Sequence, residues 1–319
     1  MASNPIPIPI PIPIDPRIKL LSYSSLLTLH NCPRKFQLYR LSAVEDEMSN
    51  EASVNQNVTF AYGHVVGEGI QQVMEGRSET EIIFNTFLGW YADLEDANEK
   101  QAKSFYLAVA AIQRFISLRA NGFLEDYELL HYNGKPATEL SFRIKFPDGF
   151  LMRGSVDAVL KHKKTGEVLI LECKTSSATN LNAATFKNSS QAVGYSVILD
   201  VICPGLSSYK VLYLVYLTKA MEYEQLPFVK SYLQRATWIQ ELLLDIETIK
   251  LYEEAGVYPM RGENCYNFFR ECEYMQTCTL KTSHLTKPLE PHLYESIDTK
   301  VYDVELTMMD LIEGQLNKE

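Results

Sequence analysis

The sequence predicts an α/β protein: a sheet core flanked by helices, with a helical region in front and a helix plus a cysteine cluster behind. Two Val/Ile/Leu-rich stretches, Arg153–Val159 and Val168–Thr175, flank Lys163-Lys-Thr-Gly166, which carries a hairpin signal. A third stretch, Tyr209–Leu217, is continuously apolar, as expected of a strand buried on both faces. Apolar residues recur at helical spacing over 79–130 and again within 227–254.

The chain has 319 residues, enough for one large domain or two modest ones. With 46% hydrophobic and 22% charged residues it reads as an ordinary globular protein. No run is long enough to span a bilayer and the N-terminus lacks a signal-peptide pattern, so a cytoplasmic setting is expected. In that setting six cysteines read better as thiols or metal ligands than as disulfides. The net charge is −10, and residues 289–319 hold eight Asp/Glu against two Lys. A nucleic-acid partner would therefore need a local basic patch, because the global field is repulsive.

In order, residues 1–19 form a tail whose five Pro-Ile repeats lack a backbone donor at alternate positions and favour an extended chain. A helical region is expected over 20–135. Within it, 22–40 reads as a helix pair, with Ser24 or Ser25 capping the first, Leu26, Leu27 and Leu29 on its apolar side, and Pro33 opening the second. Cys32 then lies just before a helix N-terminus, where the dipole favours a thiolate. Residues 59–76 read as a helix with unusual glycines, which mark close backbone approach. His64 and Glu68 share one face of it. Over 79–130, Phe84, Phe87, Leu88, Trp90, Phe105, Leu107, Ile112, Phe115 and Leu118 are assigned to packing.

Residues 136–285 carry the strands and the chemistry. Glu139–Phe146 and a Pro147-Asp-Gly149 turn lead into the two central strands. Side chains alternate along a strand, so Glu172 and Lys174 share a side while Leu171 and Cys173 take the other. An acid and a base on a core strand are costly unless they share a site. Asp157 can bring a second carboxylate across the ladder, and such a set suits a hard divalent cation and a phosphate. A helix over 183–199 places Gln191 and Tyr195 four apart on one face. A long amphipathic helix within 227–254 carries Trp238, Ile239, Leu242, Leu243 and Ile246. Residues 286–319 read as an acidic tail.

These motifs carry a resemblance. Asp157 followed by Glu172-Cys-Lys174, then Gln191-Ala-Val-Gly-Tyr195, with the opening Ser22-Tyr-Ser-Ser-Leu…Asn31-Cys-Pro-Arg-Lys-Phe36, resembles the PD-(D/E)XK nuclease superfamily over roughly residues 20–280. Within it the likeness is to the RecB-type, CRISPR-adaptation-type exonuclease branch. It implies a restriction-endonuclease-like mixed sheet, with Asp157, Glu172, Lys174, Gln191 and Tyr195 as catalytic residues. Mg²⁺ or Mn²⁺ would be held by Asp157, Glu172 and the Cys173 carbonyl. The branch also places a metal-binding His on the glycine-bearing helix, at the position that is Gly67 here, so His64 or Glu68 must serve or the ligand is missing.

The branch often holds a 4Fe–4S cluster through one cysteine of the opening helix and three near the C-terminus. Here those would be Cys32, Cys265, Cys272 and Cys278. Cys265 lies four residues before the expected position, Phe269, which is one turn along the same face if that segment is helical. Zinc takes the same four ligands. Cys173 and Cys203 read as core. The resemblance implies a deoxyribonuclease, exonuclease rather than endonuclease, acting on DNA strand ends. A recombination or replication protein would be a second partner, and the setting the cytoplasm of a bacterial or phage-infected cell. The rival readings are a non-catalytic DNA-binding or scaffold protein with this fold, or an assembly factor using the two tails.

Overall fold

A computed structural model describes residues 14–48, 57–90, 103–206, 209–267, 270–282, 298 and 300–316. The Pro-Ile run, apart from its last residue, and Phe269 lie outside the described residues. The chain divides into two compact units rather than the expected consecutive blocks. The first comprises residues 1–50, 144–153 and 240–301; the second comprises 51–143, 154–239 and 302–319.

In the first unit, strand β1 (Leu20–Leu21) pairs in parallel with Leu151 and Met152. Helix α1 (Tyr23–Asn31) follows directly, and its cap is Ser22, not Ser24 or Ser25. The Ser22 hydroxyl accepts from Ser25 N, and Ser22 N donates to Ser25 Oγ, a reciprocal capping box. Leu26 and Leu29 are buried while Leu27 is exposed. Helix α2 (Pro33–Met48) opens on proline, whose missing N–H costs nothing in a first turn.

The second unit is built on helix α3 (Val58–Met74), helix α4 (Glu79–Leu88) and helix α5 (Phe105–Ala120). Short strands β2 (Tyr127–Leu129), β3 (His131–Tyr132) and β4 (Lys135–Pro136) follow. Then come β5 (Thr138–Lys145), β6 (Leu151–His162) and β7 (Val168–Ser176). Helices α6 (Ala183–Lys187) and α7 (Ser190–Ile202) carry the chain over to β8 (Tyr209–Leu217) and β9 (Glu222–Lys230). Residues 232–239 open helix α8 (Tyr232–Ala255), whose remainder belongs to the first unit, and strand β12 (Val304–Thr307) with helix α9 (Met308–Leu316) ends the second.

The sheet is mixed, in the order β12-β5-β6-β7-β8-β9, with β2 also on β6. Strands β6 and β7 run antiparallel, β7 and β8 parallel, β8 and β9 antiparallel. A parallel neighbour needs a crossover, and α6–α7 supply it. One core layer joins Tyr62, Val65, Val66 and Ile70 of α3 with Ala108, Ala111 and Phe115 of α5 and with Leu169, Leu171, Leu212 and Leu214 of the sheet. Gly69 explains how closely the helices meet: a Cβ there would lie 2.4 Å from Ile112 Cδ1.

Two expectations need correction. The acidic stretch after residue 286 is not wholly a tail. Val304 and Leu306 alternate inward, so β12 can pair beside β5, and Leu311 buries α9. The charge count masked this alternation. Of the residues assigned to packing, Ile112 and Phe115 are buried, while Phe84, Phe87 and Leu88 are exposed. Helix α4 instead buries Ile82 and Thr86, which lie four apart on its other side.

Candidate active site

Glu172 is fully buried in β7, and Lys174 Nζ stands 2.5 Å from its Oε1. Among the described residues neither Glu172 oxygen receives a hydrogen bond of ordinary geometry. On β6, Asp157 lies one step beyond the Ala158–Leu171 pair, as Glu172 does on β7. Its Oδ2 accepts the backbone N–H of Cys173 at 2.8 Å. The Cys173 side chain packs into the core layer, and burial pushes its thiol well up.

Burial, then the nearby Glu172 carboxylate, raises the Asp157 pKa well above the ordinary range. Burial also raises that of Glu172, against the pull of Lys174. For Lys174 burial works against the charge, but the carboxylates of Glu172 and Asp157 outweigh it and the pKa is raised. Lys174 is thus a fixed cation rather than a base. Its ammonium donates to Gln191 Oε1 at 3.3 Å, and Gln191 Nε2 donates to Tyr195 OH at 2.6 Å. Tyr195 is buried, edge-on to Phe142. The helical spacing of Gln191 and Tyr195 therefore builds a polar chain that ends on Lys174.

A cavity of about 890 Å³ opens onto this group, lined among others by Asp157, Cys173, Lys174, His64 and Glu68. His64 Nε2 stands 3.3 Å from Glu68 Oε1, both on the cavity face of α3. At Gly63, α3 lies against β7: a Cβ there would be in ordinary contact with Thr175 Oγ1, at 3.5 Å.

Sequence reasoning missed Glu139, Gln71 and Ser155. Glu139 lines the same cavity and sits at φ +45°, strained for a side-chain-bearing residue. Gln71 Nε2 donates to its Oε1 at 2.6 Å, and Ser155 Oγ hydrogen-bonds its Oε2. Its charge bears on both Asp157 and Glu172. Nothing local announced Glu139, which is polar at the start of a strand; Gln71 continues the α3 face at seven residues past His64.

Two carboxylates raised by burial, Asp157 and Glu172, share one ammonium, and Glu139 adds a third negative charge that bears on both. This donor set is short of positive charge and fits a hard divalent cation. Among the described residues, however, no three His, Cys, Asp or Glu side chains already stand as a ligand group, so a cation here would also draw on the Cys173 carbonyl and waters.

The first unit holds the second group of candidates. Cys32 follows α1, its N–H donating to Thr28 O at 2.8 Å. The segment carrying Cys265 and Cys272 is not helical as expected. A short turn (Gly262–Asn264) leads into a hairpin of β10 (Tyr266–Asn267) and β11 (Arg270–Glu271). The two cysteines meet across it, Cys272 N donating to Cys265 O at 2.8 Å. Asn264 Nδ2 donates to Asn31 O at 2.6 Å, joining the neighbours of Cys265 and Cys32. Arg34 donates to Cys278 O at 2.9 Å and Leu280 O at 2.6 Å. Desolvation raises the Cys265 pKa, as do the nearby Cys272, Cys278 and Cys32. The four thiols thus lie in one neighbourhood, though not in a finished ligand geometry.

The mixed sheet sets two carboxylates and a lysine on adjoining strands. The profile of the PD-(D/E)XK nuclease superfamily matches residues 20–279, and the chain belongs to that superfamily. Its members generally use Mg²⁺ or Mn²⁺ and act on DNA. No curated protein matches the sequence. Among solved structures, the crystal structure of SSO0001 aligns over 58% of this chain and 84% of its own, at 12% identity and a TM-score of 0.25. No helix among the described residues is long and apolar enough to cross a membrane.

Proposed function

We propose that this chain is a divalent-metal-dependent deoxyribonuclease that removes nucleotides from DNA ends, in recombination, repair or phage DNA processing. The observation that carries the reading is that Asp157 and Lys174 line one cavity, with buried Glu172 and the Gln191–Tyr195 pair holding Lys174 in place. Asp157, Glu172 and the Cys173 carbonyl would hold Mg²⁺ or Mn²⁺, with His64 or Glu68 completing the shell. When bound, the cation would lower the pKa of a water and neutralise the scissile phosphate. Lys174 stays protonated and offers a close positive charge to the phosphate as its charge builds up. Gln191 and Tyr195 fix the direction of that ammonium. Glu139 adds negative charge that bears on Asp157 and Glu172.

In the first unit, Cys32, Cys265, Cys272 and Cys278 would hold a 4Fe–4S cluster, with zinc as the rival ion for the same thiolates. The hairpin pairing of Cys265 with Cys272 and the Asn264–Asn31 hydrogen bond support it. A bound cluster would contribute folding free energy. Carboxylate and lysine chemistry needs no iron.

Loss of end label from linear DNA, with Mg²⁺ or Mn²⁺, should be abolished by EDTA and by Lys174→Ala. Covalently closed circular DNA should survive. Cutting of circles would make the enzyme an endonuclease. No metal-dependent cleavage at all, with Lys174→Ala identical to the wild type, would leave a binding protein.

A further inference from the structure

The first unit sets Cys265 and Cys272 in direct opposition. Strands β10 and β11 pair antiparallel, Tyr266 opposite Glu271 and Asn267 opposite Arg270. One step further out the same register places Cys265 opposite Cys272, and the Cys272 N–H donates to the Cys265 carbonyl at 2.8 Å. Opposed residues carry their side chains on one face of a ladder, with Cα atoms about 4.5–5.5 Å apart. A disulfide spans Cα separations of about 4.4–6.8 Å. Both cysteines lie just past the ends of their strands, so the small shift that brings the sulfurs together disturbs no inner ladder pair. Both are free thiols and only partly buried. Cys272 also lines a cavity of about 400 Å³ with Thr28, Asn31, Cys32 and Lys35, which gives a small reagent a way in. A metal needs these two thiols near each other; direct opposition also gives them a bond to form with one another.

We propose that Cys265 and Cys272 form a reversible disulfide across this hairpin when the thiols hold no metal, and that the bond closes the site to metal until it is reduced. The oxidant is a low-molecular-weight disulfide of the glutathione class. The Cys272 thiolate attacks one of its sulfurs, forming a mixed disulfide and expelling one small thiolate. The Cys265 thiolate then attacks the Cys272 sulfur, forming the protein disulfide and expelling the second. The protein gives up two protons and two electrons, and the reagent leaves as two thiols. Because the hairpin already holds Cys265 opposite Cys272, the second step is intramolecular. An exposed disulfide is also the kind that reductants open again. A metal binds the same sulfurs as thiolates, so bond and metal exclude each other. That exclusion rests on the reading of Cys32, Cys265, Cys272 and Cys278 as one metal set. Cys32 and Cys278 also lie near enough to Cys265 to bear on it electrostatically, which makes them the rival partners, but neither shares its ladder.

The full chain, stripped of metal by a chelator under reductant and then desalted, is treated with glutathione disulfide. Its six free thiols, titrated in denaturant, should fall by two. Digestion with trypsin and chymotrypsin puts Cys265, Cys272 and Cys278 on separate peptides, since cleavage sites stand at Arg270 and Tyr274. Mass spectrometry should find the Cys265 peptide joined to the Cys272 peptide, and dithiothreitol should part them. Cys265→Ser should stop at a glutathione adduct on Cys272, whereas Cys32→Ser and Cys278→Ser should still form the bond. Zinc uptake, followed with a chromophoric chelator, should be lost in the oxidised chain and return on reduction. An undiminished thiol count, or Cys265 joined to Cys32 or Cys278 instead, would overturn the disulfide. Equal zinc uptake by the oxidised and reduced chains would overturn the exclusion of metal. No uptake by either, with the cross-hairpin bond formed, would overturn the metal reading and leave the disulfide standing. The mapping is done on the wild-type chain, so it decides the matter even where a serine variant fails to fold.

Discussion

The Asp157 carboxylate takes the Cys173 backbone N–H at 2.8 Å, at the point where the β6–β7 pairing gives way to the buried pair Glu172 and Lys174. A strand N–H that would otherwise serve the ladder is spent on a carboxylate. The side chain is thereby aimed, and the Cys173 carbonyl beside it is set in the cavity wall. An amide oxygen can accept that N–H equally well. Asp157→Asn should therefore keep the fold while removing one negative charge beside Glu172. Cleavage should fall by at least about 100-fold, the scale for losing a preorganised electrostatic partner. The metal-free protein should melt a few degrees higher, because burial and Glu172 disfavour the Asp157 charge. Cleavage at the wild-type rate by the purified variant would remove Asp157 from the site.

Lys174 supports stability and chemistry at once, and two substitutions separate the roles. Lys174→Ala leaves Glu172, which is fully buried, without its cation. Breaking a fully buried pair costs about 3–5 kcal/mol, and the half-exposed lysine brings the expected loss below that. Glu172→Gln added to Lys174→Ala should recover most of the stability and none of the cleavage. Urea titrations of the single and double variants decide this, and an additive double variant would show that the pair is not coupled.

The residues legible in the sequence were those whose relative placement is local. Strand alternation puts Glu172 beside Lys174, and helical spacing puts Gln191 beside Tyr195. The Asp157 placement needed only the hairpin. Glu139 and Gln71 were not legible, because their approach to the site depends on how β5 and α3 lie against the central strands, whereas Ser155, two residues before Asp157 on β6, shares its face by alternation. Cys265 and Cys272 were placed in one neighbourhood for the wrong local reason: a hairpin rather than a helix turn brings them together. In the C-terminal stretch, charge hid a strand whose apolar residues alternate perfectly well.

Packing between α3 and α5 is closest at Gly69. Gly69→Ala would drive a methyl into Ile112, whose Cδ1 lies 2.4 Å from the ideal Cβ position. Overpacking of this kind costs about 1–3 kcal/mol. The thermal midpoint should drop, and Ile112→Val in the same chain should recover part of it. An unchanged midpoint in Gly69→Ala would mean that the helices separate freely, and that the close approach is unimportant.

Lys230 supplies a pH signature unrelated to the active site. It is fully buried, its ammonium donating to Lys187 O, and burial lowers its pKa from 10.5 to about 8. Between those two values the unfolded chain binds more protons than the folded one, so stability should rise with pH. The full span is worth on the order of 3 kcal/mol. Below pH 8 the buried charge is present and its cost is fully felt. The buried phenols of Tyr62 and Tyr209, raised by burial, work the other way only at pH above about 10. Urea midpoints at pH 7.5 and 9.5 should therefore differ (choices of about one unit either side of the transition), with the higher pH the more stable. Lys230→Met should flatten that difference, and an equal slope in both proteins would assign it to other groups.

The cysteine set gives the last prediction, that losing its metal damages folding before it damages chemistry. Cys32 and Cys278 are far apart in sequence, so a shared cluster closes a very long loop. Loop-closure entropy grows only slowly with length, and the larger contribution is the metal-binding free energy itself, which adds to folding. The Asn264–Asn31 and Arg34–Cys278 hydrogen bonds already gather the segments, so the protein lacking metal should keep some of this structure. Anaerobically purified protein should be brown, absorbing broadly near 400 nm (roughly, for thiolate-to-iron charge transfer). Cys272→Ser should lose the colour, yield less soluble protein and melt earlier. Its residual folded fraction should still cleave DNA ends, since carboxylate and lysine chemistry needs no iron. Colourless protein with stoichiometric zinc would replace the cluster by a zinc site. Colourless, metal-free protein whose melting is untouched by Cys272→Ser would end the assignment of any metal to these four thiols.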